Sequence, residues 1–177
     1  VTLISKDTTP TRARAALGGN TATITVSVSA FIQFSKEHRA DLARVAELFV
    51  THELTHCLQQ GPAGEAVSRA WPLWIVEGMA NYAAEDPLQD EYFAVIKQQG
   101  IRDLDVIQAL EVYPRGRLFF KYLQAKYGTE KLKNFVVLLY QRTEYRQAVE
   151  AVTKKAWNAF KAEELQWSKE YARKFGL

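Results

Sequence analysis

The chain reads as an α+β protein, with a small N-terminal β-sheet over a site-bearing helix and a mostly helical C-terminal part. Three observations predict this. Residues 21–30 alternate strictly between apolar and polar, the period of a half-buried strand. Leu42, Val45, Phe49, His52 and His56 recur at spacings of three and four, the stripe of a helix packed on a core. Few β signals follow residue 34, and the rest of the chain is helical in rhythm.

At 177 residues, with 47% apolar and 24% charged composition, the chain suits a single domain over 1–177 with a proper core. Residues 1–60 hold the strands and the histidine-bearing helix, and 61–177 a second site helix and a helical subdomain.

Residues 1–34 read as strands. Ala22, Ile24, Val26, Val28 and Ala30 share one face of the strand Thr21 to Ala30, with Thr23, Thr25, Ser27 and Ser29 on the other. A Gly18-Gly19-Asn20 turn precedes it, and Val1 to Ser5 is a weaker strand. Ser35 is placed to cap a long helix running to about Gln60, which Gly61-Pro62 stops. Residues 61–70 read as a loop. Pro72 suits the first turn of a helix from Leu73 to about Glu85, ended by Asp86-Pro87. Further helices are expected near 90–98, 102–111, 115–127, 130–141, 144–153 and 156–174, with Gly128-Thr129 separating two of them.

Composition excludes several classes of partner. The net charge is +3 and the cations are interleaved with acids, as in Lys161-Ala162-Glu163-Glu164. That is a solvated face, and no nucleic-acid partner is expected. No stretch is long and apolar enough to span a membrane. The one cysteine, Cys57, excludes an internal disulfide framework. It sits one residue past His56 and so about 100° around the helix, which favours a buried apolar role. The start at Val1 reads as a processed or excised product and leaves the compartment open, with a secreted or periplasmic setting favoured. Composition does not give the oligomeric state.

The chemistry concentrates in His52-Glu53-Leu54-Thr55-His56. On a helix, residues i and i+4 share a face, so both imidazoles can reach one cation. Glu53 projects toward the same side and can take a proton from a water that the cation activates. This is the H-E-x-x-H arrangement of a hydrolytic zinc site. Downstream, Glu77 stands in the apolar stretch Trp74 to Tyr82. A buried carboxylate there is costly unless paired or metal-bound, so Glu77 is the candidate third ligand. Two histidines, one glutamate and an open position make a catalytic set rather than a closed structural one. Asn81, one turn after Glu77, is a candidate supporting partner for a ligand imidazole. His38 reads as a surface residue in the first turn of the long helix.

Tyr113, in a Tyr-Pro-Arg-Gly turn, is the first candidate for an oxyanion donor, with Tyr82 and Tyr140 as rivals. Trp71 and Trp74 read as packing at the start of the Glu77 helix rather than as a pocket lining. Arg115 and Arg117 suit either surface solvation or bidentate binding of a substrate carboxylate. The polar face of the Thr21 to Ala30 strand offers an edge for an extended peptide, unless that strand is internal to the sheet.

HELTHCLQ followed by PLWIVEGMANY resembles the gluzincin branch of zinc metallopeptidases, specifically the peptidase MA-like domains. The Glu-Gly-x-Ala-x-Tyr stretch is also similar to the ligand helix of the large aminopeptidases. The resemblance continues through Tyr113 to Leu123 and Lys126-Tyr127-Gly128, covering about residues 45–150. It implies a zincin-like fold, one zinc ion on His52, His56 and Glu77, Glu53 as catalytic acid/base, and a peptide or protein substrate. The chain departs from the family's Thr-Gly turn before the last helix, where it has Thr153-Lys154-Lys155-Ala156. A metzincin pattern is excluded, since it needs glycine at 59 and histidine at 62, where Gln59 and Pro62 stand. Met79 then reads as core packing.

Two functions follow as expectations. One is a zinc-dependent peptidase. The other is a catalytically inactive zincin scaffold that binds a protein or peptide. The intact Glu53 favours the first, because a scaffold has no chemical need for a general base. Residues 165–177 are a candidate segment for occupying the cleft.

Overall fold

The structure is a computed structural model that describes residues 2–5, 13–18, 21–61, 70–84 and 90–174. Its strands β1 (Thr2–Ser5), β2 (Ala13–Gly18) and β3 (Thr21–Val26) form a sheet in the order β1-β3-β2. β3 runs parallel to β1 and antiparallel to β2, with Leu3 opposite Ile24 and Ala15 also opposite Ile24. Gly18 pairs with Thr21, so the turn expected at 18–20 joins two paired strands, although 19 and 20 lie outside the described residues.

β3 is four residues shorter than its alternation implied, ending at Val26 rather than Ala30. The Ser27 side chain accepts a hydrogen bond from the Ala30 N–H and starts α1 (Val28–His38). A serine at a helix start satisfies a donor that a strand would leave to its neighbours. Ile24 and Val26 are buried as expected, whereas Val28 is exposed. With β1 on one side and β2 on the other, β3 is the internal strand and has no free edge.

The long helix expected from Ser35 is two helices. Arg39 takes a left-handed conformation (φ 51°) and ends α1. Ser35 lies inside α1 and donates its hydroxyl to the Ala40 carbonyl, closing that end. Asp41 then caps α2 (Leu42–Gln60) by accepting from the Arg44 N–H. His38 therefore closes the first helix, where its ring tilts over Phe34. α2 stops at Gly61, as its sequence predicted.

The helix α3 (Leu73–Ala83) follows Pro72 directly. The expected loop at 62–69 and stop at Asp86-Pro87 lie outside the described residues. α4 (Asp90–Gln99) matches its expected span, but 102–111 is a turn ending in one 3-10 segment (Ala109–Glu111) rather than a helix. There the Glu111 carboxylate accepts from the Arg102 guanidinium and the Gln108 N–H, contacts that an α-helix would pull apart. The helices α5 (Val112–Tyr127), α6 (Thr129–Tyr140), α7 (Tyr145–Thr153) and α8 (Trp157–Arg173) complete the chain. Lys154 caps α7 in a left-handed conformation (φ 61°), so a turn usually given to glycine is made by lysine. No helix among the described residues is long and apolar enough to cross a membrane.

Apolar side chains gather into two clusters. One joins Ile24, Val26, Phe31, Phe34, Val45 and Cys57 from the sheet, α1 and α2. The other joins α3 to α5–α8 around Ile75, Phe119, Phe135 and Phe160. Trp71 packs edge-on against Tyr140, and Trp74 against Phe119 and Tyr145. Both tryptophans, and Met79 with them, are core packing as predicted. α2 belongs to the first cluster and α3 to the second, and they meet where the histidines face Glu77.

Candidate metal centre

His52 and His56 stand one turn apart on α2 with their rings edge to face. Their Nε2 atoms are 3.0 Å apart. Glu77, on α3, brings its Oε2 to 3.3 Å from His52 Nε2 and 3.5 Å from His56 Nε2. Three lone-pair-bearing atoms thus converge on one small triangle. The same three residues form a group able to hold a metal ion. Ligand atoms about 2.0–2.1 Å from a zinc ion occupy tetrahedron corners about 3.3 Å apart, and the observed sides straddle that value. The side chains of His52 and Glu77 keep 13% and 15% exposure, so the group is partly reached by solvent.

Electrostatics agree with this geometry. Burial alone would raise the Glu77 pKa, but hydrogen bonds from His52 and His56 and the charges on those rings hold the carboxyl at about 2. For His56, burial pulls the other way, lowering its pKa. Bonds to Glu77 and Gln59, with the charges of Glu77 and Glu53, outweigh that and raise it overall. Without an ion, imidazole protons supply the positive charge the carboxylate needs. Cys57 is buried and its thiol pKa is raised, by burial first. It is not in the ligand group.

Glu53 lies on α2 beside His52 and is half-buried. Its charge is felt by both His56 and Tyr113. Tyr113 is half-buried in the first turn of α5, so the Tyr-Pro-Arg-Gly stretch opens a helix rather than forming a turn. Pro114 is tolerated there because the first-turn N–H groups have no intrahelical acceptor. Burial, then the charges of Glu77 and Glu53, raise the Tyr113 pKa further above neutral.

Two glycines bring the start of α5 against α3. Gly78 follows Glu77, Gly116 lies one turn after Tyr113, and the two helix backbones touch at these positions. A Cβ on Gly116 would come within 2.7 Å of Gly78 Cα and would also strike the Trp74 carbonyl. Of the rival tyrosines, Tyr140 donates to the Leu58 carbonyl at 3.0 Å, and the Tyr82 ring tilts over Phe120.

Arg115 is not a substrate-binding arginine. It is 1% exposed and makes a two-pronged pair with Glu164, 0% exposed, at 2.9 and 2.7 Å. Ser168 donates to Glu164, and Arg115 Nε donates to the Arg102 carbonyl. This network fastens α8 to α5, so the C-terminal helix has a packing role through Glu164 and Ser168. Arg117 is half-buried on the same helix.

Asn81 is 3% exposed, and among the described residues its Nδ2 has no hydrogen-bond partner. The outer ring nitrogen of a ligand goes instead to a residue the sequence did not single out. His56 Nδ1 is 2.9 Å from Gln59 Oε1, and Gln59 Nε2 donates to the Val76 carbonyl at 2.8 Å. The only sequence signal was its position one turn past His56, on the same helix face.

No protein-family model matches the chain, and neither a curated protein nor a solved structure matches it.

Proposed function

We propose that this chain is a zinc-dependent peptidase of the gluzincin type with a zincin-like fold, acting on peptide or protein substrates. The observation that carries the reading is the His52–His56–Glu77 triangle, whose sides of 3.0, 3.3 and 3.5 Å suit one tetrahedral ion. Zinc fits better than magnesium or calcium because two of the three donors are imidazole nitrogens. A bound zinc ion supplies Lewis acidity, polarising a carbonyl and acidifying a water.

The protein's own residues do the rest. Glu53 takes the proton from the attacking water and hands it to the departing amine. Tyr113 donates its hydroxyl to the oxygen that becomes negative as the carbonyl turns tetrahedral. Glu77 adds one negative charge to the ligand set, leaving an open side for substrate. β2 is an edge strand that lies against α2, and among the described residues no strand pairs with its outer side. An extended peptide can add there through backbone hydrogen bonds, which supports a peptide substrate. β3 cannot serve, because both its edges are taken.

Elemental analysis of chelator-free protein tests the reading. About one zinc per chain is expected, with clear loss in Glu77→Gln. Glu53→Gln should keep the zinc and lose about 10²–10⁴ in peptide hydrolysis. Absence of zinc after incubation with excess metal would rule the enzyme out. Full zinc with no hydrolysis across a peptide library would favour the inactive scaffold.

A further inference from the structure

The Gln59 amide is 1% exposed and lies between the two ligand helices. Its two ends cannot be exchanged. The Val76 carbonyl, 2.8 Å from one end, only accepts. Reversing the amide would set two oxygens against each other with no water to separate them, a costly arrangement in a buried place. The nitrogen must therefore face Val76 and the oxygen must face His56 Nδ1, 2.9 Å away. A carbonyl oxygen only accepts, so His56 must carry a hydrogen on Nδ1. When neutral, the ring then has its lone pair on Nε2, the atom that faces His52 and Glu77.

The other end of the amide grips the residue before Glu77. Val76 is the backbone neighbour of the third ligand, so one side chain ties the ring of the second ligand to the peptide next to the third. The α2 end is held again by Tyr140, whose hydroxyl caps the Leu58 carbonyl beside Gln59. Helix C-termini leave carbonyls without intrahelical donors, and here one of them becomes an anchor.

We propose that Gln59 is a positioning residue of the metal centre. It holds His56 in the Nδ1–H tautomer and sets the spacing between the α2 histidines and Glu77. This rests on the metal-site reading above. In the established logic of metal sites, the group behind a ligand imidazole sets its ring orientation and basicity, and losing it costs about 10–100-fold in affinity.

The test joins a tautomer measurement to a binding measurement. Long-range ¹H–¹⁵N spectra of metal-free protein, above the histidine titration range, should show His56 with hydrogen on Nδ1. Gln59→Met, which keeps the volume but has neither donor nor acceptor oxygen, should lose that exclusive state. Gln59→Glu should keep the tautomer, because a carboxylate oxygen still accepts from Nδ1, and should loosen the tie to α3, because its second oxygen faces the Val76 carbonyl. In competition with a chelator, Gln59→Met should bind zinc about 10–100-fold more weakly than native protein, with an unchanged far-ultraviolet circular dichroism spectrum. An Nε2–H tautomer in the native protein would overturn the proposal without any variant. Native zinc affinity in Gln59→Met would overturn it while leaving the metal centre intact. Failure of the native protein to take up zinc would overturn both.

Discussion

At the scale of single residues, function turns on which atoms have a forced role. His56 has both ring nitrogens engaged, one toward Gln59 and one toward Glu77. Tyr113 feels the charges of Glu77 and Glu53, and burial first, then those charges, raise the pKa of a phenol that is already protonated near neutral pH. Tyr113→Phe should therefore lower kcat by about 10²–10³ with little change in KM, since the lost bond forms as charge develops. Steady-state kinetics on one peptide would check this, and an unchanged kcat would remove Tyr113 from the chemistry. The grouping of His52, His56 and Glu77 was legible in the sequence because helical spacing alone sets two histidines on one face, and an acid in an apolar stretch calls for a partner. Gln59 was not. Its acceptor is a backbone carbonyl 17 positions away, and a backbone carbonyl leaves no trace in residue identity. Arg115 was misread for a similar reason, since Glu164 is 49 positions distant and nothing local marks either as buried.

At the scale of elements, the α3–α5 contact controls the site's dimensions. Gly116→Ala would force the helices apart, because the added methyl meets backbone rather than a mobile side chain. The expected cost is about 3 kcal/mol in chemical denaturation, with Tyr113 displaced from Glu77 and kcat reduced in the folded fraction. A variant of native stability and activity would contradict the close packing. The α5–α8 fastening makes a separate prediction. Glu164→Gln leaves the Arg115 guanidinium buried without its charge partner, and should cost about 3–5 kcal/mol. The spans of α4, α6, α7 and α8 and the buried stripe from Val45 were visible in the sequence, yet the break between α1 and α2, the 3-10 turn at Ala109–Glu111 and the exposure of Leu42 were not. Arg39 turns the chain with a positive φ without being glycine, and the Asp41 cap that restarts it is one of many polar residues there. Alternation likewise ran through Ser29 and Ala30, where capping by Ser27 overrides it.

At the scale of the whole molecule, the three candidate ligands stand on helices that pack into two different apolar clusters, so a metal held there would link the two. In the metal-free protein, His56 lies above its ordinary value of 6.5. Its contribution to stability is full below 6.5 and is lost as pH rises through the raised folded-state value. Glu77, at about 2 instead of 4.5, contributes above pH 4.5 and loses that contribution as pH falls toward 2. Zinc needs neutral imidazoles and competes with those protons. The Tm difference between zinc-loaded and chelated protein should therefore widen as pH rises from about 6 to about 8. Free zinc at about a hundred times its Kd should add about 2.7 kcal/mol of stability. A Tm difference that did not vary with pH would count against His56 as a ligand.

The polarity of the two site helices carries a consequence of its own. His56 lies one turn from the C-terminal end of α2, and Glu77 one turn from the N-terminal end of α3. Aligned peptide dipoles make the first end negative and the second positive, by about 0.3–1 kcal/mol for a nearby unit charge. The backbone therefore favours a cation on the histidine side and a carboxylate on the glutamate side before any side chain is counted. Removing the Glu77 charge leaves the positive end of α3 facing the ion without its offset, so Glu77→Gln should lose more affinity than one missing donor explains, the residual uptake of divalent metal resting on His52 and His56.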